Sequence, residues 1–226
     1  MSESPRVDAH DPGRARRLGR QVRVLREARG WSRGQLAGAA GLSERTVVRL
    51  ESGPAGQPGV FTVAAVADAL EVTVEVLLSA GEPGLWSTGY EGRTIDSFVT
   101  ALVEAGVDAV ADVRLTPISR KRGFSKTRLS EALAEADIDY VHLRALGNPK
   151  DNRAPFWDGR ISEGLAAFES VMSEEPARRQ LDELVELASG RSVAVLCFEQ
   201  DESRCHRQAV LAALHRRTSL PVSPLA

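Results

Sequence analysis

Leu18, Val22 and Leu25 recur at three- and four-residue spacing, which draws one apolar stripe along a helix and leaves arginines on its other face. Gly30 ends that helix. Trp31 precedes Ser32, an N-cap for a short second helix that carries Gln35, Leu36, Ala39 and Ala40 and stops at Gly41. The arrangement then repeats. Ser43 is placed to cap a third helix, ERTVVRLE, with Val47 and Leu50 inward and Glu44, Arg45, Thr46 and Arg49 outward. Ala37 and Gly41 are small enough for the close crossing of two such helices. Val63, Val66, Ala67 and Leu70 predict a fourth helix, and Val74, Leu77 and Leu78 a fifth. Gly and Pro are dense at SGPAGQPGVF (52–61), a loop able to touch a sugar-phosphate backbone. They are dense again in AGEPG (80–84), where residues 81–84 read as a linker.

Beyond the linker, strands alternate with helices. LWSTGY (85–90), DAVADVRL (108–115), DYVHLRAL (139–146) and RSVAVLCFE (191–199) read as strands, the last the most apolar. TIDSFVTALVEAG (94–106), SKTRLSEALAEADI (125–138), two helices within ISEGLAAFESVMSEE and EPARRQLDELVELASG, and SRCHRQAVLAALHRR (203–217) read as the helices between and after them. The expectation is a disordered tail over 1–12, an all-α five-helix domain over 13–80, and an α/β domain over 85–226 with a mostly parallel sheet covered by helices.

Composition supports two modest domains: 226 residues with 42% apolar content are enough for a core in each. No run approaches the roughly 18 apolar residues of a membrane span, and MSESPRVDAHDPGR has no apolar signal region, so a cytoplasmic location without membrane partners is expected. The net charge of −2 hides an asymmetry. Between Arg14 and Arg49 stand ten arginines against Glu27 and Glu44, a local balance of +8 suited to neutralising phosphates.

The run WSRGQLAGAAGLSERTVVRLESG resembles the helix-turn-helix of Cro and repressor proteins, the XRE family, over roughly residues 13–80. That resemblance implies double-stranded DNA as a partner, with Gln35 holding a phosphate and Ser43, Glu44, Arg45 and Thr46 meeting base edges in the major groove. Arg45 can pair bidentately with guanine, Glu44 can accept from a cytosine amino group, and Arg49 falls to the backbone. A homodimer is expected, since one such unit reads a half-site. The alternative is an arginine-rich bundle that solvates its surface or docks a protein.

In open parallel sheets, ligands bind outside the carboxyl ends of the strands. Those ends carry Tyr90, Glu91 and Arg93, then Asp112 and Arg114 with Ser119 and Arg120 in the loop beyond, then Cys197 and Glu199. The final helix opens near Cys205, His206 and Arg207. STGYEGR, DVRLTPISRKRGFS, YVHLRALG and CFEQDESRCHR, in that order, resemble the family known as domain of unknown function 488 over nearly all of 85–217. The resemblance implies a fold and a site but supplies no reaction.

Tyr90, Arg93, Arg114, Ser119, Arg120, His206 and Arg207 are candidates to bind a small anionic or nucleotide-like ligand. The bland alternative is ion pairing of these arginines with Asp112, Glu91 and Glu199. Glu91, Asp112 and Glu199 are candidate catalytic acids or bases, and Cys205 a candidate thiolate activated by a helix N-terminus and flanking arginines, or else a packing residue. A protein-tyrosine-phosphatase loop needs arginine at the sixth position after its cysteine, whereas Arg204 is seventh after Cys197. Zinc binding by Cys197, Cys205 and His206 finds no support in spacing, so neither metal nor cofactor is expected. Three functions follow: a transcriptional regulator that senses a ligand, a DNA-targeted hydrolase or glycosidase, and a thiol redox sensor.

Overall fold

A computed structural model of the chain describes residues 12–52, 58–79 and 84–225, with side chains from residue 15 onward. The expected tail (1–12) lies outside these residues apart from Pro12, and the linker (81–84) apart from Gly84. Half of the Gly/Pro loop (residues 53–57) also lies outside them. The chain divides into two compact units that part after Ala80.

The first unit is all helical: α1 (Pro12–Ala28), α2 (Arg33–Ala39), α3 (Glu44–Glu51), α4 (Val60–Ala69) and α5 (Val74–Ser79). Both serine caps form. Ser32 and Gln35 make a reciprocal capping box at the start of α2, and the Ser43 side chain accepts from the Thr46 N–H at the start of α3. Gly41, between the two, has φ +65°, a left-handed turn that glycine enters at little cost. Leu18, Val22, Leu36, Val47, Leu50, Val66, Leu70 and Leu77 build the core at the predicted spacings.

The second unit is a five-stranded, wholly parallel sheet in the order β3-β2-β4-β1-β5, formed by β1 (Gly84–Gly89), β2 (Ala109–Asp112), β3 (Asp139–His142), β4 (Ser192–Cys197) and β5 (Val222–Pro224). On one face, α6 (Ile95–Glu104) and α7 (Lys126–Glu135) enclose Val110, Phe124, Ala194 and Leu196. On the other, α9 (Ile161–Ser173), α10 (Glu175–Ala188) and α11 (Arg207–His215) enclose Ala109, Ala111, Val193, Val195 and Cys197. Successive residues of β4 feed opposite cores, which is why its sequence is a continuous apolar run.

Several boundaries differ from expectation. The second and third strands are shorter than predicted, and Arg144–Leu146 is a 3-10 turn. The last helix begins at Arg207, four residues late, because Glu202–Arg204 form a separate 3-10 turn and Cys205 is extended (φ −131°, ψ 143°). The edge strand β5 and the short helix α8 (Ala154–Trp157) had no expected counterpart.

Candidate functional site

The carboxyl ends of β1, β2 and β4 lie side by side at the centre of the sheet, where the strand order turns back on itself. Above them is a pocket of about 440 Å³. Of the ligand and catalytic candidates, Tyr90, Arg114, Ser119, Arg120, Glu199, Cys205 and His206 line it; Glu91, Arg93, Asp112 and Arg207 do not.

The β2 end is a closed ionic unit. Arg114 donates through Nε (2.8 Å) and an Nη (2.5 Å) to the two oxygens of Asp112, and through the other Nη to Tyr90 Oη (3.0 Å) and the Phe124 carbonyl (2.8 Å). Tyr140 Oη donates to Asp112 at 2.6 Å. Burial works against the Arg114 charge, but Asp112 outweighs it and holds the guanidinium protonated; burial and the same carboxylate raise the Tyr140 phenol. Asp112 is fully buried and its two oxygens are engaged by these partners, the ion pairing with arginine that stood as the alternative to a catalytic acid or base. Tyr90 is likewise no open stacking platform. Its ring is stacked on Phe124 with centroids 4.3 Å apart and meets the edge of Phe198. Glu91 is exposed and accepts from the Gln200 N–H, while Arg93 donates to the Leu225 carbonyl.

The β4 end is built differently. Cys197 Sγ lies 3.2 Å from Glu199 Oε2 and 3.8 Å from His206 Nδ1; Cys205 Sγ is also 3.8 Å from that nitrogen. His206 Nε2 reaches the Val113 carbonyl at 3.2 Å. Behind the pocket, Arg207 is fully buried and donates to Ser87 Oγ (2.8 Å), to the Glu199 and Gln200 carbonyls, and to Cys205 Sγ. Gly89 permits this close stacking: a Cβ there would fall 1.9 Å from the Glu199 carbonyl oxygen.

The thiol expectation shifts with this geometry. Burial pushes the Cys205 thiol up, reinforced by the neighbouring Cys197 sulfur; Cys205 precedes α11 and stands outside its first turn. Cys197 is held well below the usual thiol range by the hydrogen bond from Cys205, against burial and with help from the His206 charge. That charge is favoured in turn, because Cys197 outweighs the burial that opposes it. Burial and the Cys197 charge raise Glu199.

One stretch of the lining was not singled out as site-bearing: Arg153, Phe156 and Trp157, after β3. Ile118 and Lys121, from the loop after β2, and Arg204, from the 3-10 turn, join the candidates of those segments. Trp157 is 70% exposed and Ile118 81%, unusual for side chains of this kind. The strand-end rule applied to the aromatic, arginine-bearing NRAPFW run is the signal that identifies this wall.

On the helical unit, Gln35, Ser43, Glu44, Arg45 and Arg49 are exposed and Thr46 half-buried. Gln35 Oε1 accepts from the Ser32 N–H, leaving its amide N–H groups free of the cap, while the Ser43 and Thr46 hydroxyls lie 2.8 Å apart. The local balance of +8 overstates the open positive surface. Arg17, Arg20 and Arg26 are buried, and Glu51, just beyond the counted stretch, takes hydrogen bonds from Arg26 and Arg33. Burial raises the Glu51 carboxyl, but the two guanidiniums more than reverse this and hold it down.

Residues 17–79 match the family model described as a helix-turn-helix domain. Among solved structures, a hypothetical transcription factor, NHTF, from Neisseria aligns with 24% identity and a TM-score of 0.28, covering 34% of this chain and 88% of its own. No curated protein matches the chain. Among the described residues, no helix is long and apolar enough to cross a membrane. Residues 94–214, more than half of the chain and including β2, β3, β4 and the sulfur-bearing turn, match the model of Domain of unknown function DUF488, and the chain belongs to that family.

Proposed function

We propose that this protein is a sequence-specific DNA-binding regulator whose α/β domain holds a small anionic, nucleotide-like ligand in the strand-end pocket. The observation that carries the ligand reading is the wall of that pocket. Arg120, Arg153 and Arg204 line the same cavity as the largely exposed Trp157, so one flat ring and one anionic group find complementary surfaces within a single cavity. Calorimetry with AMP, adenosine and orthophosphate tests it. AMP is expected to bind more tightly than either fragment, and Arg120→Ala and Arg204→Ala to weaken AMP and orthophosphate while sparing adenosine. Absence of binding by all three overturns the reading.

For the helical unit, the support is the helix-turn-helix match and the exposure of Gln35, Glu44, Arg45 and Arg49. Selection of duplexes from a random pool yields the operator. Arg45→Ala should then cost about 1–3 kcal/mol and relax one base position, whereas an unchanged preference removes Arg45 from base readout. A homodimer in the cytoplasm completes the reading; Val60, Phe61, Val76 and Leu78 of α4 and α5 offer apolar surface for self-association, which sedimentation measures.

A second reading, the thiol redox sensor, is favoured by the meeting of the two sulfurs. It fails if Cys205→Ser leaves the oxidant sensitivity of operator binding unchanged. For a hydrolase or glycosidase, Glu199 is the carboxylate that lines the pocket, and Glu199→Gln tests that alternative by the loss of any nucleobase or nucleotide turnover.

A further inference from the structure

Sγ of Cys197, Sγ of Cys205 and Nδ1 of His206 all lie within 4.8 Å of one another, and all three residues are buried. The nitrogen is equidistant, at 3.8 Å, from the two sulfurs. A tetrahedral zinc ion, with Zn–S near 2.3 Å and Zn–N near 2.0 Å, requires S···N edges of about 3.6 Å. Both S···N edges therefore stand within a few tenths of an ångström of the coordinating distance, and the third edge is no longer than 4.8 Å. We propose that Cys197, Cys205 and His206 form a binding site for a zinc-like divalent ion whose fourth coordination position opens on the strand-end pocket.

Three further observations point the same way. His206 Nε2 is 3.2 Å from the Val113 carbonyl, an oxygen that can only accept, so Nε2 keeps a proton and Nδ1, which faces the sulfurs, is the nitrogen that exchanges its proton for a metal ion. This outer hydrogen bond is the usual device for orienting a ligating histidine. Second, the donors of the fully buried Arg207 reach a hydroxyl, two carbonyls and Cys205 Sγ, none of them a carboxylate. A buried cation turned toward sulfur favours thiolate there, and two thiolates, a neutral imidazole and a divalent ion sum to zero, leaving Arg207 and Glu199 to offset each other. Third, Cys197, Glu199, Cys205 and His206 all line the pocket, so the ion is reached from it. Three protein donors with one open position mark a Lewis-acid site more than a closed structural one.

Loading is an exchange: with Cys197 already ionised against the charged His206, one ion displaces two protons, one from the Cys205 thiol and one from His206 Nδ1, as the metal bonds form. The spacing fits no common zinc motif because the loop from the end of β4 to α11 sets the two cysteines eight positions apart and contains the 3-10 turn Glu202–Arg204.

The open position rests on the ligand-pocket reading; the metal site itself does not. The full-length chain, reduced and freed of metal, is titrated with Co2+. One equivalent is expected to produce a thiolate-to-cobalt charge-transfer band and the intense visible bands of tetrahedral coordination. Cys197→Ser and Cys205→Ser should each abolish the charge-transfer contribution of one sulfur, and His206→Gln should weaken binding more than about tenfold, the loss that outer-shell changes already cause. Because these variants can misfold, the wild-type thiols are also reacted with an alkylating agent; stoichiometric Zn2+ should slow both. Absence of the charge-transfer band, its survival in the double cysteine variant, or equal alkylation with and without Zn2+ overturns the site. Orthophosphate should shift the visible bands; bands that stay fixed overturn the open position. A chain that binds AMP but no cobalt refutes the metal site and keeps the pocket reading, and one that binds cobalt but neither AMP nor orthophosphate does the reverse.

Discussion

Two buried arginines stand at neighbouring strand ends, Arg114 after β2 and Arg207 after β4, and their company differs. Arg114 is matched by a carboxylate in bidentate geometry, with Tyr90 and Tyr140 completing the set. Arg207 is satisfied in hydrogen bonding but not in charge, since its partners are neutral oxygens and a sulfur. Hydrogen bonding and charge balance are separate requirements on a buried cation. Where both are met by the hydrogen-bonded partners, the arrangement is scaffold; where only the first is met, the balancing negative charge comes from neighbours such as Glu199 and the thiols, which a bound ion can in turn neutralise.

The sharpest way to break this comparison is Asp112→Asn, which keeps the shape and strands the Arg114 charge. Denaturant unfolding of the α/β domain should show a loss of about 3–5 kcal/mol; a loss under 1 kcal/mol would mean that the β2 end is no more balanced than the β4 end. Next comes acid. Glu51, between Arg26 and Arg33, is the helical unit's counterpart to Asp112, and its carboxyl is held below its unfolded value. Its contribution is fully present above the unfolded pKa and lost as pH falls through the folded one. Trp31, the tryptophan of that unit, should therefore report a lower unfolding temperature as pH drops below about 4.5, and Glu51→Gln should flatten the dependence. Tyr140→Phe removes one hydrogen bond to a charged oxygen, with an expected cost of about 1.5–3 kcal/mol by the same unfolding measurement. Trp157→Ala defines the opposite limit. Stability should move by less than about 0.5 kcal/mol, while AMP affinity falls by about 1–3 kcal/mol as the stacking surface is lost.

Sequence periodicity revealed the elements that repeat and missed those that do not. In the first unit, α2 was legible because cap, apolar spacing and glycine stop agree, α3 from its cap and spacing, α1 from spacing and its Gly30 stop, and α4 and α5 from apolar spacing alone. β5 is three residues long and ends in proline, tolerable because it lies at the sheet edge; α8 is a single turn. Neither is long enough to show a period. Arg17, Arg20 and Arg26 read as surface charge because composition does not reveal where a guanidinium points, and the carboxylate that holds Arg26 is 25 residues away. At the candidate site, the strand ends were legible and ion pairing of Asp112 with arginine stood as an alternative; what the spacing adds is the partner, since Asp112 and Arg114 are two apart along an extended chain, which sends both side chains to one side. The thiol assignment turned on where the last helix begins, a boundary decided by the 3-10 turn at Glu202–Arg204.

The oxygen that orients His206 belongs to the main chain of Val113, whose own N–H is bonded to the Leu196 carbonyl. A substitution at position 113 leaves that oxygen in place, whereas a slip of β2 by a single residue against β4 would carry it away. The orientation of the imidazole is therefore inherited from strand pairing and insulated from side-chain drift at position 113. Insertions or deletions within β2 are the changes to which this centre is most sensitive, even when every residue that lines the pocket is kept.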